Sequence, residues 1–130
     1  MDNLLKSFLR SDHAGEVGAV YIYKGILKIA KDPELVNFSK RHLATEESHL
    51  QKIEGVLPKK DRSKLVWLWK VAGFLLGFLP TLFGPKIVFA TIEAVEAFVE
   101  EHYEEQLKYL RAQPNPVSYT HLRAHETSPH

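Results

Sequence analysis

Glu46-Glu47-Ser48-His49 decides the fold, because it reads as Glu46-x-x-His49 inside a run of helical period. Leu35, Phe38, His42, Glu46, His49, Ile53 and Val56 recur at steps of three and four, so they share one helix face. The face is otherwise apolar, and Glu46 and His49 stand one turn apart on it. A lone Glu-x-x-His is common on solvated helices, where it is a surface carboxylate beside a half-buried imidazole. The neighbouring helices raise its weight.

A first helix is expected from about Asn3 to Ala30, with the stripe Leu9, His13, Glu16, Val20, Tyr23 and Leu27. A last helix is expected from about Lys86 to Arg111, with the stripe Phe89, Ile92, Glu96, Val99, Tyr103, Leu107 and Leu110. Each stripe carries one carboxylate where an apolar residue belongs. An unpaired buried carboxylate costs several kcal/mol or takes up a proton, so three of them amount to about 10 kcal/mol without compensation. A cation in the core removes that difficulty by supplying the opposite charge. Helical bundles that hold two metal ions use one Glu from each of two helices and a Glu-x-x-His from each of the other two. Glu16 and Glu96 fit the single-Glu roles, and Glu46 with His49 fits one paired role. A second Glu-x-x-His is absent, so four of six expected ligands are present. Oxygen donors with little imidazole suit iron or manganese better than zinc or copper.

Composition supports one domain, and with no credible strand pair in the sequence the fold class is all-α. The chain has 130 residues, 45% hydrophobic and 25% charged, enough for a single core. A formal net charge of +1 leaves no nucleic-acid footprint. The absence of cysteine excludes disulfides, zinc–thiolate sites and thiol catalysis. No nucleotide-binding glycine motif, signal peptide or transit peptide is visible. Asp32-Pro33 reads as N-cap and first helical residue of the second helix, about Glu34 to Val56, which Leu57-Pro58 ends. Lys59 to Lys64 reads as a basic polar loop.

Leu65 to Phe83 is almost wholly apolar, with Lys70 as its one charge. Nineteen residues approach the length of a membrane span, but Lys70, Gly73, Gly77 and Pro80 oppose one. Lys59, Lys60, Arg62 and Lys64 precede Trp67 and Trp69, a pattern that favours a helix lying in the headgroup region over a spanning or an ordinary buried one.

The segments Asp12-His-Ala-Gly-Glu-Val-Gly-Ala19, Tyr21-Ile-Tyr23, Glu46-Glu-Ser-His-Leu50, Gly84-Pro-Lys86, Ala94-Val-Glu96, Glu101-His-Tyr103 and Glu105-Gln-Leu107 occur in that order. Over about residues 8–112 they resemble the demethoxyubiquinone hydroxylase family, ferritin-like di-iron monooxygenases of ubiquinone biosynthesis. The resemblance implies a ferritin-like antiparallel helix bundle with two ferrous ions, a polyprenyl quinol substrate and O2. It implies Glu16, Glu46, His49 and Glu96 as iron ligands, Glu46 bridging both ions, and His102 and Tyr103 as residues beside the ligands or the substrate. It implies hydroxylation of the quinol ring at a membrane surface reached through Leu65–Phe83. That surface is the cytoplasmic face of a bacterial membrane, or the mitochondrial inner membrane in a eukaryote. Homo-oligomers or other ubiquinone-biosynthesis proteins are the implied protein partners. Another ferritin-like iron oxidase or peroxidase gives no reason for the greasy segment. A membrane-attached fragment without turnover follows from the missing second Glu-x-x-His.

Residues 117–130 lack any apolar period, and Val117 to Thr127 resemble one reading frame of a transposase-type sequencing adaptor. They are expected to be a non-native tail joined to a domain of residues 1–116 that was cut before its last helices. His121 and His125, four apart, are accordingly not counted as ligands. His13 is expected to pack or hydrogen-bond near the site, and His42 to be a satisfied core histidine. Gly15 and Gly18, beside Glu16, are expected to permit close helix approach at about 1 kcal/mol each in helix propensity.

Overall fold

The computed structural model describes residues 2–112 together with Thr120, Leu122 and Arg123. Four helices follow one another: α1 (Asn3–Ile29), α2 (Pro33–Val56), α3 (Val66–Thr81) and α4 (Pro85–Arg111). No strand occurs among the described residues, so the chain is all-α, consistent with a ferritin-like bundle. Helix bounds fall within a residue or two of those read from the stripes. Asp32 caps α2 by accepting a hydrogen bond from the Leu35 N–H at 3.0 Å, and Pro33 opens the helix. Asp2 caps α1 in the same manner through the Leu4 N–H. Gly84, at φ +107°, makes the turn between α3 and α4 that a side chain would strain. The basic loop is more ordered than expected: Lys59–Asp61 forms a 3₁₀ turn. Its Asp61 carbonyl accepts from Arg10 Nε at 2.7 Å.

The core has two apolar clusters, one at each end of α1. The first joins Leu5 and Leu9 of α1 to Ile53 and Leu57 at the end of α2 and to Tyr103, Leu107 and Leu110 of α4. The second joins Ile22, Tyr23 and Ile26 of α1 to Leu35 of α2 and to Val88 and Ile92 of α4. These pairings run α2 and α4 antiparallel to α1. Leu122, in the segment read as an appended tail, is buried in the first cluster, whereas His121 and His125 lie outside the described residues.

The sequence stripe captured only half of α1. Ala14, Val17, Gly18, Ile22, Gly25 and Ile26 are also buried, and α3 covers the second face that carries Gly18 and Gly25. The α1–α3 seam is built from missing side chains. A Cβ on Gly73 would strike the Gly18 carbonyl, and one on Gly77 would strike the Ile22 carbonyl. Gly73 and Gly77 therefore let α3 lie parallel to α1, backbone on backbone. Gly18 belongs to this seam, with Trp69 3.3 Å from its would-be Cβ, whereas Gly15 has open space there.

Among the described residues nothing covers the opposite face of α3. Trp67, Leu68, Val71, Leu75, Leu76 and Leu79 are exposed, and Leu82 and Phe83 extend the patch past the helix end. An open apolar concavity of about 500 Å³ lies between this face and the start of α4, lined by Leu75, Leu79, Phe83 and Ile87 among others. At 16 residues α3 spans about 24 Å, short of the roughly 30 Å hydrocarbon layer. Among the described residues no helix is long and apolar enough to cross a membrane.

Candidate metal centre

The gap between the two apolar clusters is polar on every helix that lines it. On α1, Glu16 falls between Leu9 and Ile22; on α2, Glu46 and His49 fall between Leu35 and Ile53; on α4, Glu96 falls between Ile92 and Tyr103. The helix period and the antiparallel α1–α2 pairing bring Glu16, Glu46 and His49 together, with one donor atom from each inside 4.8 Å of the others. His49 Nδ1 lies 3.6 Å from Glu16 Oε1 and 3.6 Å from Glu46 Oε1. His49 is buried and both carboxylates are half-buried, so bulk water does little to screen them.

The electrostatics are those of a core awaiting positive charge. Burial pushes the Glu46 carboxyl from an ordinary 4.5 up to about 9, helped by a hydrogen bond to Glu16 and by its negative charge. His49 and His42 pull the other way and do not prevail. At neutral pH Glu46 therefore holds a proton that it shares with Glu16. Tyr23, buried between the site and the second cluster, is driven well above the usual phenol range by burial and then by Glu46, Glu96 and Glu16. Glu96 thus acts on Tyr23, and it lies outside the three-residue cluster.

The remaining residues singled out from sequence take distinct places. His13 is buried, with Nε2 3.0 Å from Glu54 Oε2 on α2, and it lies outside the Glu16–Glu46–His49 group. His42 stacks between Phe38 (4.1 Å) and Tyr23 (5.6 Å). Tyr103 is buried in the first cluster. His102 is exposed, stacked on Phe98 and within hydrogen-bond distance, 3.2 Å, of Gln106 Nε2. Val99, on the predicted stripe, is exposed beside Phe98, so the α4 face around Glu96 is open. Sequence reading missed Glu54. Its signal was available: it lies five residues past His49, just before the end of α2, on the side that meets α1 at His13.

Fold and site define a helical-bundle protein whose interior carries a Glu–Glu–His group able to hold a metal ion. A family model described as "Ubiquinone biosynthesis protein COQ7" matches residues 3–127, and the chain belongs to that family. A 3-demethoxyubiquinol 3-hydroxylase of Rhodospirillum rubrum is 38% identical over 120 residues, covering 90% of this chain and 57% of that protein. A mitochondrial 5-demethoxyubiquinone hydroxylase of Saccharomyces cerevisiae is 36% identical over 116 residues, 85% of this chain and 49% of its own length. A mitochondrial NADPH-dependent 3-demethoxyubiquinone 3-hydroxylase of Dictyostelium discoideum is 31% identical over 109 residues, 82% and 50% respectively. The chain spans about half the length of these curated relatives.

Proposed function

We propose that the chain carries the first half of a di-iron centre in a monooxygenase that hydroxylates the ring of a demethoxyubiquinol for ubiquinone biosynthesis. The observation that carries this reading is the convergence of Glu16, Glu46 and His49 on one point between two apolar clusters, in a chain of this family. The donor set suits iron: two carboxylates and one imidazole are hard-to-borderline ligands, and a divalent ion would take the place of the proton now shared by the carboxylates. Glu16, Glu46 and His49 would hold the metal, with Glu96 approaching from α4. Bound iron would supply the activation of dioxygen, one oxygen atom entering the ring and the other leaving as water with two electrons and two protons from oxidation of the quinol to the quinone.

The chain's own residues prepare that chemistry. Glu46 releases its proton when a cation arrives, which makes binding stronger as pH rises. Leu9, Ile53 and Tyr103 on one side and Tyr23, Leu35 and Ile92 on the other keep water from the donors. Tyr23 stays a neutral phenol there, adding no further negative charge to the cluster. The exposed face of α3, with Trp67 and Trp69 at its start and Lys59, Lys60 and Lys64 just before it, would rest on a membrane that dissolves the polyprenyl substrate. On this reading the protein works at the cytoplasmic face of a bacterial membrane, or at the mitochondrial inner membrane in a eukaryotic source.

Anaerobic ferrous titration of the chain tests this reading, followed by exposure to O2 and a demethoxyubiquinol and mass analysis of the quinone. Iron binding that Glu46→Ala abolishes is expected, together with a product heavier by one oxygen atom. Failure to bind iron at neutral pH would sink the reading. A second reading, a membrane-attached fragment that binds metal without turnover, is favoured by Glu96 lying outside the cluster. Two tightly held irons per chain together with the hydroxylated product would exclude it.

A further inference from the structure

We propose that His13, Glu54 and Arg62 form a positioning latch that sets the height of Glu16 against Glu46 and His49. The inference rests on the metal-site reading above and concerns residues outside the donor cluster. His13 stands one turn before Glu16 on α1 and is only 2% exposed. Its Nε2 lies 3.0 Å from Glu54 Oε2, so the bond crosses from α1 to α2. Glu54 is itself held. Arg62 Nη1 lies 3.7 Å from the same Oε2, and Arg62 Nη2 donates to the Glu54 carbonyl at 3.2 Å. Arg62 Nε donates to the Leu57 carbonyl at 3.0 Å, so the guanidinium closes the C-terminal end of α2. One arginine therefore fixes both the helix end and the carboxylate that grips α1.

A latch is needed because the donors on their own push apart. Glu16 and Glu46 are neighbouring carboxylates on two different helices, each 3.6 Å from His49 Nδ1, and like charges so placed repel. The α1–α3 seam does not fix α1 against α2, since it lies on the other face of α1. A slide of α1 along α2 by a fraction of a turn would carry Glu16 out of reach of His49, now 3.6 Å away. The His13–Glu54 bond opposes that slide one turn from the donor. Its ring nitrogen Nδ1 is buried with no hydrogen-bond partner among the described residues, so Glu54 is the polar contact that orients the ring. Arg62 meets the same carboxylate oxygen that His13 does, and Asp12 and Glu16 are the acidic residues flanking His13 on its own helix.

Cobalt(II) is the probe, because the chain has no cysteine and any ligand-field spectrum arises from oxygen and nitrogen donors. The full chain is titrated by calorimetry and by absorbance, as wild type, Glu54→Leu, Glu54→Gln and His13→Phe. Glu54 is more than a third exposed, so Glu54→Leu leaves the core intact even if His13→Phe does not fold. Glu54→Leu is expected to weaken cobalt binding about tenfold, the lower end of the cost of losing an outer support, and to shift the ligand-field bands. Glu54→Gln, which keeps a hydrogen-bond acceptor for His13, is expected to restore both. If Glu54→Leu lowers the melting temperature but leaves cobalt affinity and spectrum unchanged, the latch is merely structural and the proposal falls. If the wild type binds no cobalt, the metal-site reading falls and takes the latch with it, an outcome distinct from the first.

Discussion

Replacing Glu46 by Gln will stabilise the metal-free chain at neutral pH while removing its affinity for divalent cations. In the fold this carboxyl is raised from 4.5 to about 9; in the unfolded chain it returns to the ordinary value. Between those two values the folded state binds a proton that the unfolded state has released. The slope of unfolding free energy with pH is then negative, about 1.4 kcal/mol for each pH unit. Stability from this group is fully present below about pH 4.5 and is lost progressively as pH rises toward 9. At pH 7 the wild type has moved roughly 2.5 pH units into that window, a loss on the order of 3 kcal/mol. Gln at the same position has no proton to lose, and its amide can donate to Glu16 as the protonated carboxyl does. Urea unfolding of both proteins with chelator present, from pH 5 to pH 8, measures the difference. The two curves should meet near the acid end and separate steadily, with Gln the more stable. Parallel curves would show that Glu46 is not protonated in the fold, and the picture of an interior awaiting a cation would be wrong. Adding a divalent ion should reverse the order, since only the wild type can exchange its proton for metal.

Three further outcomes follow from the packing. Gly77→Val drives a side chain into the Ile22 carbonyl and should cost about 1–3 kcal/mol in chemical denaturation; an unchanged midpoint would mean that α3 does not ride directly on α1. Leu75→Glu with Leu79→Glu, both on the open face of α3, should abolish co-flotation with phospholipid vesicles while leaving helicity by circular dichroism intact; persistent binding would place the membrane contact elsewhere. Removing residues 117–130, which we propose to be an appended tail, should leave metal affinity unaltered and cost no more than the burial of Leu122, about 1.5–3 kcal/mol; loss of metal binding on that deletion would refute the proposal.

The elements legible in the sequence were those written in local chemistry. Asp32-Pro33 announced the start of α2 because an N-cap acceptor and a fixed φ act within one turn. Glu16, Glu46 and His49 were legible because a charge on an apolar stripe contradicts the period around it. Other features depended on how helices approach one another. Helix α1 is buried on two faces, and its second face, Ala14, Val17 and Gly25, looks in sequence like ordinary tolerance for small residues. The run from Leu65 to Phe83 is apolar all round, so no period distinguished the glycines that meet α1 from the leucines that do not. Val99 and His102 kept the helical register but sit where no described element packs against α4, and register alone is silent about that.

The glycine seam has a mechanical consequence. Gly73 of α3 meets the backbone of Gly18, and Gly18 is two residues beyond Glu16. Gly73 and Gly18 meet backbone to backbone, with the Trp69 ring packed beside them, so little there can absorb a displacement by changing rotamer. A tilt of α3 against whatever surface its leucines rest on is transmitted to α1 as a rigid push, and the carboxylate on α1 moves with it. The greasy helix and the acidic interior thus form a single stiff assembly, in which the load on one sets the geometry of the other.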